Sequence, residues 1–437
     1  MKKIILLLLI FLTGLAQYTI AENKHIMDSL KLALSKVQSD TVRLRLHWKL
    51  CEECDVKNNL IYAEPLIKLA DKLLLQTKDE KQRKIILRQK ANAMGCIQIY
   101  YEQSNNTINY NKYAFKRLDI YKSINDTINI VDCVHQFQNY YDKIKDYSKC
   151  LDWINYGLSL SLKYKYKIGI GISYHNKGQL FQSIGEYNES IINLQKALVI
   201  FEELKDTSWM RGNLTAIGEA YKKLNNTQKS LKYFEKALSV SSGSKSSEII
   251  PVYQRIGILY LKNKNYKLAI KYFEKALMIA VQIKDYFWMS SLTNSIGNVY
   301  FNSSNLDSAL KYQLQAHKII TTNDNKGNSE IEYSIARTYF KLKKYKEAKV
   351  YCEKAIINSQ TFPGFLSVVE QLGSRIDSAS GNYKSAFEHY QKCITLQDKI
   401  NGDEVSKAAA LEKFQSDLQN QKAIDKAVSE KEIEKQK

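Results

Sequence analysis

Six histidines and seven cysteines are the residues whose chemistry could act on a substrate or hold a metal, and their spacing argues for neither role. His25, His47, His135, His175, His317 and His389 stand too far apart to make a ligand pair. The chain contains no H-E-x-x-H and no glycine-rich phosphate loop. Cys51 and Cys54 form a C-x-x-C, the spacing of redox and zinc sites, but no second pair completes a zinc set. Both fall on the inward face of an expected helix, where a free cysteine behaves as a small buried apolar residue. Cys96, Cys133, Cys150, Cys352 and Cys393 are scattered, which leaves an odd count and no dense disulfide framework. Distant residues can converge into a nucleophilic triad without a local trace. Nothing selects one here, so the expectation is a protein that is not an enzyme, with no catalytic residue, no metal and no cofactor.

The elements that would carry any site are long helices. The chain has 437 residues, 44% hydrophobic and 25% charged, too apolar for wholesale disorder. With 3 prolines and 17 glycines it lacks the punctuation of a barrel or sandwich. Lys+Arg 65 against Asp+Glu 45 gives a formal charge of +20, which permits acidic partners without identifying one. Residues 402–437 hold seven Lys and eight Asp+Glu, so the positive excess lies in the body of the chain.

The chain opens Met1-Lys2-Lys3, followed by an apolar run from Ile4 to Leu12 and small residues in Gly14-Leu15-Ala16 or Thr19-Ile20-Ala21. That is the pattern of a signal peptide over residues 1–21. The run is shorter than the roughly 20 apolar residues that span a bilayer. No later stretch reaches that length, so the chain is expected outside the cytoplasm, in the periplasm, with no further transmembrane span.

An internal period organises the remainder. Ile217-Gly218-Glu219-Ala220-Tyr221, Ile256-Gly257-Ile258-Leu259-Tyr260, Ile296-Gly297-Asn298-Val299-Tyr300 and Ile335-Ala336-Arg337-Thr338-Tyr339 follow one another at 39, 40 and 39 residues. Twelve residues after each small residue stands Ser230, Ala269, Ala309 or Ala348, and seven later Ala237, Ala276, Ala316 or Ala355. Small residues let two antiparallel helices approach, and the large ones between them fill the seam. Each unit is a helical hairpin that cannot bury its apolar face alone, so stacking must supply the core. Asp79, Asp126, Asp206, Asp285 and Asn325 recur at unit ends, and Ser246 precedes Pro251, as caps for the next helix.

These positions resemble the tetratricopeptide repeat family: Gly or Ala at place eight, Tyr at eleven, Ala at twenty, Phe or Tyr at twenty-four, Ala at twenty-seven. The resemblance implies an all-α, right-handed solenoid over residues 44–399. About nine units begin near 44, 91, 131, 171, 211, 250, 290, 329 and 366. A unit of about 40 residues exceeds the family's usual 34, which implies longer second helices. Residues 22–43 are expected to form a capping helix and residues 400–437 a polar C-terminal helix. In that C-terminal helix Val405, Ala408, Leu411, Phe414 and Leu418 would cover the open end, and Ala423, Ile424, Ala427 and Ile433 keep a weak coiled-coil spacing.

In the resembling family, places two, five, nine and twelve of each unit face a concave groove. Carried onto this chain they give Asn139, His175, Gln179, Thr215, Glu219, Gln254, Asn294, Asn298, Tyr333 and Arg337, together with His135, Gln182 and Lys222. Amide side chains there can fasten an extended peptide, and Arg337 can hold a carboxylate. The expected function is an exported scaffold that binds a protein or peptide. The alternative is the sensory part of a split histidine kinase or transcription regulator, since exported arrays of this kind also resemble such sensor regions. No nucleic acid is expected as a partner, because no aromatic and basic cluster marks a stacking platform. The ligand's identity and the oligomeric state are left open.

Overall fold

Glycines and lysines set the rhythm of this fold, glycines where helices touch and lysines where they turn. The computed structural model describes residues 25–104, 106–241, 247–324 and 328–402, and beyond these 408, 411, 412, 414 and 416. Every regular element among the described residues is helical. The expected signal peptide, the caps Ser246 and Asn325, Val405 and Leu418, and the coiled-coil positions from Ala423 to Ile433 lie outside them.

Two compact units divide the chain, residues 1–141 with 152–169 and residues 142–151 with 170–437. The first contains α1 (25–36), α2 (Asp40–Glu53), α3 (Asn59–Gln76), α4 (Glu80–Gln103), α5 (Thr107–Ser123), most of α6 (Thr127–Lys143) and the larger part of α7 (Tyr147–Lys163). The second contains most of α8 (Lys167–Ser183), then α9 (Tyr187–Glu203), α10 (Thr207–Lys223), α11 (Thr227–Ser239), α12 (Ile250–Lys262), α13 (Tyr266–Gln282), α14 (Tyr286–Asn302), α15 (Leu306–Asp324), α16 (Ser329–Lys341), α17 (Tyr345–Asn358), α18 (Pro363–Ala379) and α19 (383–402).

One turn recurs throughout. Asn125, Lys145, Lys165, Gly185, Lys205 and Asn225 stand at intervals of twenty in the left-handed region, and Lys264, Lys284, Ser304, Lys343 and Gly381 continue the series. At Lys205 the N–H bonds Glu202 O at 3.1 Å, and the N–H of Asp206 bonds Phe201 O at 3.0 Å, which closes a Schellman motif. Asp206 then accepts from Trp209 N at 3.1 Å and opens the next helix. Three residues thus end one helix and begin another. Asp79, Asp126 and Asp285 cap first helices as the sequence suggests, and Asn328 caps α16. Second helices carry caps that were not anticipated, at Asn106, Asp146, Asn226, Asn265 and Asn305.

This turn corrects the expectation of longer second helices in part of the chain. In the hairpins α6 with α7 and α8 with α9, both helices are 17 residues long, so the extra length is shared between the two arms. Farther on, the second helices α13, α15 and α17 have 17, 19 and 14 residues against 13, 17 and 13 in α12, α14 and α16.

Inside each hairpin the small residue at place eight faces the residue sixteen positions later. A Cβ on Gly218 would meet Phe234 at 2.6 Å, one on Gly257 would meet Phe273 at 2.6 Å, and one on Gly178 would meet Leu194 at 2.6 Å. Phe234 and Phe273 are fully buried, each worth roughly 2–3 kcal/mol of apolar burial. The alanines at place twenty-seven, Ala237, Ala276, Ala316 and Ala355, are likewise fully enclosed. Ser230 replaces alanine at place twenty without cost, since its hydroxyl donates to Gly218 O at 2.7 Å.

At the far end, Phe414 is buried with its ring 6.4 Å from that of Tyr147, at the start of α7. Tyr383, Phe387 and Tyr390 on α19 are each more than half exposed.

Candidate binding surface of the first helices

Within residues 170–402 the first helices of successive hairpins approach one another, α12 with α14, α14 with α16 and α16 with α18. Successive second helices do not approach to the same extent, so the first helices line the inner side of the stack. The polar residues carried by these helices are the candidate site.

Several of them bond to each other across repeats. His175 Nδ1 on α8 pairs with Asn213 Oδ1 on α10 at 3.0 Å. Glu219 on α10 accepts from Arg255 Nε on α12 at 3.0 Å and from Lys222 Nζ at 3.0 Å. On α16, Arg337 donates to Asn298 Oδ1 on α14 at 3.2 Å, and Gln313 Nε2 on α15 donates to the same oxygen at 3.3 Å. Thr338 Oγ1 completes this network by donating to Gln313 Oε1 at 2.7 Å.

The carried-over positions therefore separate into kinds. His175 is buried, with its ring edge-on to Trp209, and is closed to a ligand, which corrects its assignment to an open groove. Burial lowers its pKa, an effect the Asn213 bond opposes. Burial alone pushes His135 in the first unit down to about 4. Asn139 and Gln179 are exposed, while Gln182, Thr215 and Gln254 are half-buried.

Asn298, Tyr333 and Arg337 do come together, on α14 and α16, while Asn294 on α14 is 6% exposed, as closed as His175. The Arg337 guanidinium lies 4.0 Å from the Phe301 ring centroid and 5.6 Å from that of Tyr333. Burial holds its pKa below the usual arginine value, although Tyr333 opposes the shift. Its Nε and the Oδ1 of Asn294 are buried without a partner. A guanidinium donor suits a carboxylate or a peptide carbonyl. Unmet buried polar atoms cost about 1–3 kcal/mol each.

One cluster resembling a catalytic site was not legible in the sequence. His389 Nδ1 on α19 lies 2.5 Å from Glu370 Oε2, its Nε2 lies 3.6 Å from Asp377 Oδ2, and Lys349 Nζ lies 2.7 Å from Asp377 Oδ1. Cys352 borders the same cavity, which measures about 10 Å³, room for one water at most. Burial, Glu370 and Asp377 raise the Cys352 thiol to about 12, and it donates to Val369 O. A protonated thiol in a closed space is no nucleophile. His389 occupies the seat beside Gly373 that Phe273 occupies beside Gly257, so the cluster is a polar form of the hairpin seam. Among the described residues no group of His, Cys, Asp and Glu could hold a metal ion, and no helix is long and apolar enough to cross a membrane.

Hairpins that nest through a small residue at place eight, joined by capped left-handed turns, define an α-helical repeat protein. The tetratricopeptide repeat pattern matches residues 169–242, 210–280 and 330–356. The chain contains tetratricopeptide repeats over these residues. A comparison with curated protein sequences gives no match. Among solved structures it is similar to aspartyl phosphate phosphatase F from Bacillus subtilis, with 16% identity and a TM-score of 0.49 over 80% of this chain and 91% of that one. It is also similar to BtubC from P. vanneervenii, with 14% identity and a TM-score of 0.43 over 51% and 92% of the two chains. Pseudomonas aeruginosa pilF gives 17% identity and a TM-score of 0.38 over 56% and 97%. Repeats of this family are generally non-catalytic scaffolds for protein interaction.

Proposed function

We propose that this chain is an exported, non-catalytic scaffold that binds a protein or an extended peptide along the inner helices of residues 170–402, with its grip centred on α14 and α16. The observation that carries the reading is Arg337, whose guanidinium bonds Asn298 across repeats and lies beside Tyr333 while its Nε has no partner. Apolar grooves bind by area; this face instead offers directional donors and acceptors, which favours a peptide backbone over a small apolar ligand. Export rests on the Met1-Lys2-Lys3 start, the apolar run to Leu12 and the small residues that follow, and it places the partner in the periplasm. The test is recovery of partners from envelope extract with the wild-type chain and with Asn294, Asn298 and Arg337 changed to Ala, after a melting curve shows that the variant is folded. The reading expects at least one partner to disappear with the triple variant. Recovery of every partner unchanged rejects the α14 and α16 assignment. Sequencing the N-terminus of the mature protein checks the export step.

A further inference from the structure

The outer face of α19 breaks a rule that earlier second helices keep. Four positions, counted ten, fourteen, seventeen and twenty-one residues after the small residue at place eight, face solvent. After Gly218 they are Gln228, Lys232, Glu235 and Ser239 on α11, and after Gly257 they are Lys267, Lys271, Glu274 and Met278 on α13, all exposed. After Gly373 the same places on α19 hold Tyr383, Phe387, Tyr390 and Ile394. The frame is fixed by His389, which stands beside Gly373 as Phe273 stands beside Gly257.

These four side chains are 73%, 58%, 53% and 37% exposed. The buried side of α19 is made by other residues, Ala386 and Cys393. The row is therefore an apolar stripe added to a helix that already has its core face. Single apolar residues on a surface are ordinary, but a contiguous aromatic row marks an interaction site.

The row itself points to its occupant. Its intervals of four, three and four residues read the same in both directions. A second copy laid antiparallel around a two-fold axis sets Phe387 of each chain opposite Tyr390 of the other, and Tyr383 opposite Ile394. Charge favours the same place. The chain carries +20, which opposes contact between copies, and lysines on the outer rows of α11 and α13 add to that repulsion. Residues 382–399 hold Lys384, Lys392 and Lys399 against Glu388 and Asp398, so two copies meet here with little repulsion. At these exposures each row leaves roughly 400 Å² open, and two rows remove roughly 800 Å² from water. The flanking polar stems form the rim that brings this apolar centre to the 1,200–2,000 Å² of a standard interface.

We propose that the chain forms a two-fold dimer through the outer face of α19, with the row from Tyr383 to Ile394 of each copy packed antiparallel on the other. The contact uses a second helix and leaves the polar residues of the first helices out of it.

The experiment measures the mass of the purified chain by light scattering across a dilution series. The wild type is expected at twice the monomer mass, and Phe387→Glu combined with Tyr390→Glu at the monomer mass with an unchanged melting curve. Should that variant unfold, Tyr383→Lys at the most exposed end of the row is expected to weaken the dimer by about tenfold. Lys267→Glu with Lys271→Glu, on the outer row of α13, is expected to leave the dimer intact. A photoreactive residue in place of Tyr390 is expected to crosslink to the Phe387 peptide of a second, isotope-labelled copy. A wild type that is monomeric at every concentration, or a dimer that survives the changes on α19, would overturn the proposal. So would a crosslink from position 390 into residues 403–437 of the same chain, into lipid or into a different protein.

Discussion

Arg337 on α16 donates from Nη2 to Asn298 Oδ1 on α14 at 3.2 Å across 39 residues, while its guanidinium stacks over Phe301 from the same helix as Asn298. Two successive repeats are thus joined on the face that would meet a ligand. Arg337→Ala and Asn298→Ala are each expected to lower stability by about 1–2 kcal/mol. Their effects should not add, and a double-mutant cycle from urea unfolding should return a coupling of about 1 kcal/mol. Independent effects would show that the pair is a crossing of solvated side chains.

Place-eight glycines act by leaving room, not by bending the chain. Gly257→Ala, whose Cβ would stand 2.6 Å from Phe273, is expected to destabilise by about 1–3 kcal/mol. Gly212 also lies inside a helix, yet nothing stands within 4 Å of its added Cβ. Gly212→Ala should therefore stabilise by about 0.5–1 kcal/mol. Thermal melts of the two variants in parallel separate the steric role of glycine from its backbone entropy.

Acid should loosen the molecule before its carboxylates titrate. Burial takes His135 down to about 4 and also lowers His175 and His47, whereas the unfolded chain binds these protons near 6.5. Between those values the unfolded state carries more protons, so stability is full above pH 6.5 and falls as pH drops toward 4. His135 alone should cost roughly 2 kcal/mol at pH 5 relative to pH 7.5. Urea unfolding at the two pH values should show the loss, and His135→Gln should reduce it.

Left-handed lysines are a reserve of stability. Lys264 has φ 58°, a region that costs a residue with a Cβ about 1 kcal/mol and glycine nothing. Lys264→Gly is expected to raise stability by about that amount. The same change at exposed Lys267, inside α13, should lower it by about 1 kcal/mol.

These positions also mark where the sequence was readable. Gly218, Gly257 and Ala336 announced the hairpin seam because a steric requirement admits few residue types and so repeats visibly. Six of the nine non-glycine residues with positive φ among the described residues are lysines, which do not look like helix stops, so the division of length between the two helices was misassigned in the hairpins from α6 to α9. Asn298 and Arg337 were legible as inner-face residues, but their bond was not, since a contact 39 residues away depends on how α14 and α16 cross. For the same reason His175 could be placed on a first helix but not recognised as buried against Trp209. The cluster around His389 was hidden too, because the sequence shows neither that Glu370 and Asp377 are buried nor that they face it.

The inner-face claim is tested most directly by photo-crosslinking in living cells. A photoreactive residue would be placed at Gln254 on α12 or Tyr333 on α16, and, as outer positions, at Lys236 on α11 or Lys271 on α13. One protein partner should be captured from both inner positions and from neither outer one. Capture from the outer positions alone, or equally from all four, would contradict the assignment of ligand binding to the first helices.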